Sequence, residues 1–458
     1  MNMRLPVTGK KLSTILALTF LSGITLTPVS YAETIQDAVK TMIETHPDVL
    51  SAGHNRLGRE EEVKQARSGY FPTLDIEAGV GKDWVDKPVY GDVSPQQIRI
   101  GVRQNIFAGL STLNEIDRQK SRVKSQAYVV QSTVENTALK TINVYLEVLK
   151  NEALVNLAQE NLVLHQRISD QIKLRSESGV DRGADMDQVR SRLSLAQSNV
   201  VVTEQNLSDA QTNYYALVGH LPVQLSRPEG SEALIPETLE KAEQIALASH
   251  PQLKSAAADL AARNAQSEVA KSPFMPIIDF ELDKIYSKDS DYTSIPNSID
   301  QEDLRAFVRL RYNLFNGWRD EARKTETIHL INEAREIKNH THRQVVESIK
   351  LSWQAHESTK RKIKHLQQRV QFATATAEAY TKQWNIGQRT LLDVLDAQAE
   401  QIDASRQLTT AEYENLYAQY RILNGTGALT SALKLNLPKE GDVEGDRIPA
   451  TTDVKKKS

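Results

Sequence analysis

The chain has 458 residues, of which 40% are apolar and 25% charged, with 56 lysines and arginines against 59 acids and a formal net charge of −3. Such a composition belongs to a folded chain, and the near-balance of charge leaves no overall field of the kind that draws a protein to nucleic acid. Cysteine is absent, which excludes disulfides, thiolate metal sites, cysteine nucleophiles and a lipid attached through cysteine.

Residues 1–32 read as an export signal. Arg4, Lys10 and Lys11 precede the apolar run Leu12 to Leu26, and Ser30-Tyr31-Ala32 places small residues at −3 and −1 of a cleavage site. The mature chain is expected to start at Glu33. No later stretch is long and apolar enough for a membrane helix, a test that a β-barrel escapes.

From there the chain runs twice through one plan. "THPDVLSA" at 45–52 returns as "SHPQLKSA" at 249–256, 204 residues on, and "NIFAG" at 105–109 returns as "NLFNG" at 313–317, 208 residues on. Gly179 pairs with Gly387 and Asp185 with Asp393 at the second offset, so the second copy carries a four-residue insertion between its strands. The first repeat is assigned to 33–232 and the second to 233–430, with a flexible C-terminal tail over 431–458 that ends in Lys455-Lys456-Lys457.

Each repeat opens with a helix, about 35–68 and 237–271, interrupted at His46-Pro47 and His250-Pro251 because proline disfavours helix in the residue before it. A β-hairpin follows, about 73–107 and 276–315. In the outgoing strands Leu74, Ile76, Ala78 and Val80 oppose Asp75 and Glu77, and Ile278, Phe280 and Leu282 oppose Asp279, Glu281 and Asp283. In the returning strands Ile98, Ile100, Val102 and Ile106 oppose Arg99 and Arg103, and Leu304, Ala306, Val308 and Leu310 oppose Arg305, Arg309 and Arg311. Period-two alternation is the strand signature, and runs of about 10 residues suit tilted strands that cross a bilayer. Within each hairpin the acids are expected to meet the arginines across the sheet. Four strands cannot close a barrel. Two chains would supply eight and three would supply twelve, so an oligomer is required and its number stays open on this count.

Next come the long helices. Between Gly109 and Gly179, and again between Gly317 and Gly387, lie 69 residues without glycine or proline. Helices over 110–178 and 318–386 would each span roughly 100 Å. Leu139, Ile142, Leu146, Leu149 and Ala153 step by three and four as a packing seam. A short turn leads in each repeat to a second, antiparallel helix, 184–218 and 390–424. The histidines His329, His340 and His342 lie on a polar helix with no fixed carboxylate partner and read as solvated. "DRGADMD" at 181–187 lacks the calcium-loop spacing. No cofactor or metal is expected, and no motif of an enzyme is found.

The whole pattern resembles the TolC family, most specifically in Gly387-Gln388-Arg389-Thr390-Leu391-Leu392-Asp393-Val394-Leu395-Asp396. The resemblance implies a mainly α fold with a β-barrel part: a homotrimer whose twelve strands make an outer-membrane barrel and whose helical hairpins make a periplasmic tube. It implies a Gram-negative outer-membrane location, contact with lipid, and docking of a periplasmic adaptor and an inner-membrane transporter, the ABC type favoured. Asp393 and Asp396 match aspartate rings at a periplasmic gate, where converging carboxylates would raise one another's pKa. For Asp393 helix capping explains the residue equally well. Asp185 and Arg389 match a gate-closing network, with Trp384 standing where the family uses a tyrosine. The expected function is export, with type I protein secretion ahead of small-molecule efflux. A periplasmic coiled-coil scaffold is the alternative of another class; it accounts for the helices but not for the strands.

Overall fold

A computed structural model describes residues 32–85, 91–177, 183–288 and 300–443; the signal segment and Gly179 lie outside them. The first repeat holds α1 (Ile35–Thr45), α2 (Pro47–Ser68), β1 (Thr73–Val80), β2 (Asp83–Val85), β3 (Gly91–Val93), β4 (Gln96–Ala108), α3 (Ser111–Glu177) and α4 (Gly183–Val218). The second holds α5 (Leu239–Ser249), α6 (Pro251–Ala270), β5 (Ile277–Lys288), β6 (Gln301–Arg311), α7 (Arg319–Asn385) and α8 (Leu391–Gly425), followed by the single turn α9 (Leu429–Ala432).

The His-Pro breaks have a local cause. Proline occupies the first position of α2 and α6, and the histidine before it adopts extended backbone while its Nδ1 accepts the amide of Asp48 or Gln252. A neutral imidazole thus serves as the N-cap, a role usually taken by Ser, Thr, Asp or Asn. α3 and α7 each run 67 residues without interruption. Short-range pairs such as Arg118–Glu115 on α3 and Lys324–Glu321 on α7 brace their surfaces.

The four longer strands form one antiparallel sheet in the order β1-β4-β5-β6, while β2 and β3 pair separately as an extension of the first hairpin. The two hairpins are therefore joined by β4 against β5, which pair over almost their full length. Beneath the sheet the helices keep the same lateral order, α2 beside α3, α3 beside α6, and α6 beside α7. The result is a wall one helix thick that continues the sheet.

At both strand-to-helix junctions two successive residues have positive φ, Gly109-Leu110 and Gly317-Trp318. Leu110 and Trp318 pay for that left-handed backbone by roughly 1–2 kcal/mol each, and the same conformation recurs in both repeats.

Midway along the wall the seam Ile142, Leu146 and Leu149 packs against α1 (Ile35, Val39, Met42), Tyr214 of α4 and Tyr413, Tyr420 and Leu423 of α8. The flexible tail expected over 431–458 is corrected for 431–443. Leu433 and Val443 are buried, and Gln131 donates to the carbonyl of Gly441 at 2.7 Å. Glu135, fully buried on α3, accepts the amides of Leu429 and Thr430 at 3.0 Å and the Thr430 hydroxyl. A polar composition concealed these few apolar contacts. Residues 444–458 lie outside the described residues.

Candidate functional site

Two places in the fold gather the residues singled out by sequence, namely the charged face of the sheet and the far ends of the helical hairpins.

On the sheet, arginines and acids from both repeats interlock. Arg99 lies between Glu77 of β1 at 3.3 Å and Asp283 of β5 at 2.9 Å. Glu281 accepts from Arg103 of β4 at 3.2 Å and from Arg309 of β6 at 3.0 Å. Asp279 is the best enclosed carboxylate, 3% exposed, and accepts from Asn105 at 2.8 Å and from Arg311. The expectation that acids and arginines pair within each hairpin therefore holds for Arg99–Glu77, Arg309–Glu281 and Arg311–Asp279, and fails for Asp75, Asp283, Arg305 and Arg103, the last of which reaches Glu281 of the other repeat. Among the described residues Asp75 meets only the Thr73 hydroxyl, at 3.5 Å. Arg305 turns to Asp303 on its own strand at 2.8 Å, and Asp283 is taken by Arg99 from the other repeat.

The cause of these exceptions is the β4–β5 junction. Asp283 sits opposite Gly101, and a Cβ at Gly101 would lie 2.7 Å from the Asp283 carboxylate, so the missing side chain makes room for the acid. A bulge between Asn105 and Phe107 then shifts the register. It leaves Ile106 as the extra residue and sets Phe107 beside Ile278. Gln104, which interrupts the apolar alternation of β4, was the sequence signal of this irregularity.

The opposite face is apolar and open. Leu74, Ile76, Val80, Leu304 and Val308 are all at least two-thirds exposed, an apolar surface broken by the Lys284–Glu302 pair between β5 and β6 and one that water would not tolerate on a monomer. Tyr70, Phe71, Phe274, Tyr312, Phe315 and Trp318 are exposed where the sheet meets the helices, with Phe315 and Trp318 edge to face. Tyr286 and Trp84 stand toward the other end. Apolar bands between aromatic girdles mark barrel walls in lipid. Among the described residues β1 pairs only with β4 and β6 only with β5, so both sheet edges have unpaired backbone.

At the helix tips, Ile168 and Ile172 of α3, Val189 of α4, Trp384 of α7 and Leu391, Val394 and Leu395 of α8 form one apolar cluster. Trp384 belongs to this core rather than to an exposed network, and the guanidinium of Arg175 lies 4.4 Å from its ring centroid. Gly387 has φ +78°, the left-handed backbone that the turn into α8 requires. Arg389 stays in its own turn. It donates to Gln383 at 3.0 Å, lies 3.8 Å from Asp393 and covers the Tyr380 ring at 4.1 Å. Asp185, half-exposed, has no partner among the described residues, so one chain does not join it to Arg389.

Asp393 is the third residue of a capping box with Thr390, accepting the Thr390 hydroxyl at 2.8 Å and its amide at 3.3 Å. Within one chain, those bonds hold its carboxyl below the usual range. Asp396 accepts from Arg192 of α4 at 2.8 Å. Sequence reading missed Arg192 and Arg175, because nothing local indicates that α4 meets α8, or α3 meets α7, at these tips.

Comparison with known proteins agrees with this geometry. The sequence profile of the outer membrane efflux protein family matches residues 38–220 and 243–428. The chain belongs to that family. It is 22% identical over 421 residues to the outer membrane efflux protein BepC of Brucella suis, covering 91% of this chain and 90% of that one. It is 24% identical over 443 residues to the outer membrane protein TolC of Escherichia coli, covering 92% and 87%. Among solved structures, a CusC crystal structure superposes with a TM-score of 0.76 at 15% identity, covering 88% of this chain and 92% of that one. The protein is an outer-membrane efflux channel of the TolC family with a long periplasmic tube.

Proposed function

We propose that three copies of the chain close into a twelve-stranded barrel and a helical tube, forming the outer-membrane duct of a tripartite export system. The observation that carries this is the sheet, which has two open edges, one exposed apolar face and one face of interlocked charges. Pairing β6 of one copy with β1 of the next satisfies both edges, turns the apolar face to lipid and encloses the charges around water. Heat-modifiable migration as a trimer in outer-membrane fractions is the expected result; a monomer in the soluble periplasmic extract contradicts it.

The cargo we assign is protein, passed from an ABC-type inner-membrane transporter through a periplasmic adaptor, as in type I secretion. The absence of cysteine supports this, since many drug-efflux members of the family carry a cysteine-linked lipid. Small-molecule efflux is the second reading, in keeping with the names of the outer membrane efflux protein family and of the efflux protein BepC. Deleting the gene and comparing secreted proteins with drug susceptibility separates the two. Loss of a secreted protein with unchanged resistance supports secretion, and the reverse outcome supports efflux.

The helix tips are proposed as the gate. Asp396 takes the ring position, Asp393 shapes the turn, and Asp185 pairs with Arg389 of a neighbouring copy once Arg389 gives up its contacts within its own turn. The Arg192–Asp396 and Arg175–Trp384 contacts tie the first-repeat hairpin to the second within one chain, so opening the tips must break both.

A further inference from the structure

Near the sheet end of α3 lies a cavity of about 310 Å³ bordered by Arg59 of α2, Arg118 and Arg122 of α3, and Arg263 of α6. The four guanidinium groups are short of carboxylates. Glu62 is shared, accepting from Arg59 and from Arg122 at 2.7 Å each, and Glu115 takes Arg118. Arg263 donates to the Gln266 amide at 3.1 Å and has no carboxylate in ion-pair range among the described residues. Asp259 stands on the same rim, outside ion-pair range of any arginine. Counting these three acids, one positive charge is in excess, and most of the N–H donors that four guanidinium groups carry are left over. Burial first, then the neighbouring charges of Arg59 and Arg118, lower the proton affinity of Arg122. Like charges are thus held together beside a space that none of the described residues fills.

The side of the wall follows from helix geometry. On α3, Arg118, Arg122 and Ser125 step by four and three and share a face. Ala127, Gln131 and Val134, on the opposite face, carry the layer made by α1 and the segment 429–443. A closed tube needs its lumen clear, so that layer is outside and the arginines are inside.

We propose that this cavity is a carboxylate-binding subsite on the inner wall of the duct, which holds acidic stretches of an exported polypeptide as they pass between tube and barrel. It rests on the duct reading given above. Three copies would set three such sites around the axis. Guanidinium forks match carboxylates in two-point contact, and Arg118 and Arg122 share the face of α3 opposite the outer layer.

The test uses purified full-length protein in planar bilayers, with short poly-L-glutamate added at the barrel mouth and poly-L-lysine as the comparison. Poly-L-glutamate is expected to block the current, and the half-blocking concentration to rise about tenfold or more in Arg118→Gln and in Arg263→Gln. Arg263→Gln disturbs only the contact with Gln266 and so guards against misfolding. Equal block of wild type and both variants, or equal block by poly-L-lysine, overturns this inference alone. Absence of any current from the wild type overturns the duct reading, and this inference with it.

Discussion

Glu135 shows how one residue fixes a segment that composition alone would leave loose. Its carboxylate is completely buried, and burial raises its pKa against the bonds from Thr430 and Leu429. Replacing it by alanine leaves two amides and a hydroxyl without acceptors, a loss of about 1–3 kcal/mol. Glu135→Ala should release residues 429–443 to rapid hydrogen exchange while the α3–α4 tip stays protected; unchanged protection would show that the apolar contacts suffice. His250 adds a pH dependence. Its Nδ1 must be unprotonated to cap α6, and burial pushes its pKa down from 6.5 to about 4. The unfolded chain binds this proton more readily, so the contribution is full above the ordinary value and is lost as pH falls toward 4. The loss is roughly 3 kcal/mol per chain. His250→Asn caps without titrating and should flatten the fall in stability between pH 7 and pH 4.5; a parallel fall in both proteins would assign it elsewhere. Gly109 and Gly317 share positive φ, but a Cβ at Gly109 would lie 2.5 Å from the Ser272 carbonyl whereas Gly317 faces open space. Gly109→Ala should therefore lower the trimer dissociation temperature more than Gly317→Ala.

At the scale of elements, the long helices were legible from the absence of glycine and proline, and the two faces of the four longer strands from their period of two; the short β2 and β3 were not. Nor was the choice of partner. The pairing of Asp283 with Arg99 depends on β4 lying beside β5, and that of Asp396 with Arg192 on two helix ends 204 residues apart in sequence coming together. Trp384 was placed in a polar network by position, yet its ring is too apolar to stay exposed once Ile168, Ile172 and Leu391 adjoin it. The tip contacts make a further prediction. Arg192→Ala should admit dyes or antibiotics more readily than Arg389→Ser, because Arg389 binds within its own turn whereas Arg192 joins two hairpins. A half-exposed pair of this kind contributes under about 1 kcal/mol, so the gate should loosen rather than fail. Equal leakage from both variants would remove Arg192 from the latch.

For the whole molecule, the governing fact is that one sheet carries two incompatible surfaces. Interlocked arginines and acids demand water, and the exposed leucines, isoleucines and valines demand its absence. A single chain in water meets only the first demand, since both sheet edges and the apolar face remain bare. Closure of three copies in a membrane meets them together, and the junction aromatics then fall at the boundary where such rings settle. The helical wall continues from that boundary for roughly 100 Å, which makes the assembly a duct.

Because the chain contains no cysteine, single cysteines report this sidedness without background. Ile76→Cys and Glu77→Cys are neighbours on β1 with opposite faces. In outer-membrane vesicles a water-soluble maleimide should label position 77 and leave position 76 unmodified. Labelling of 76 with protection of 77, or equal labelling of both, would contradict the duct.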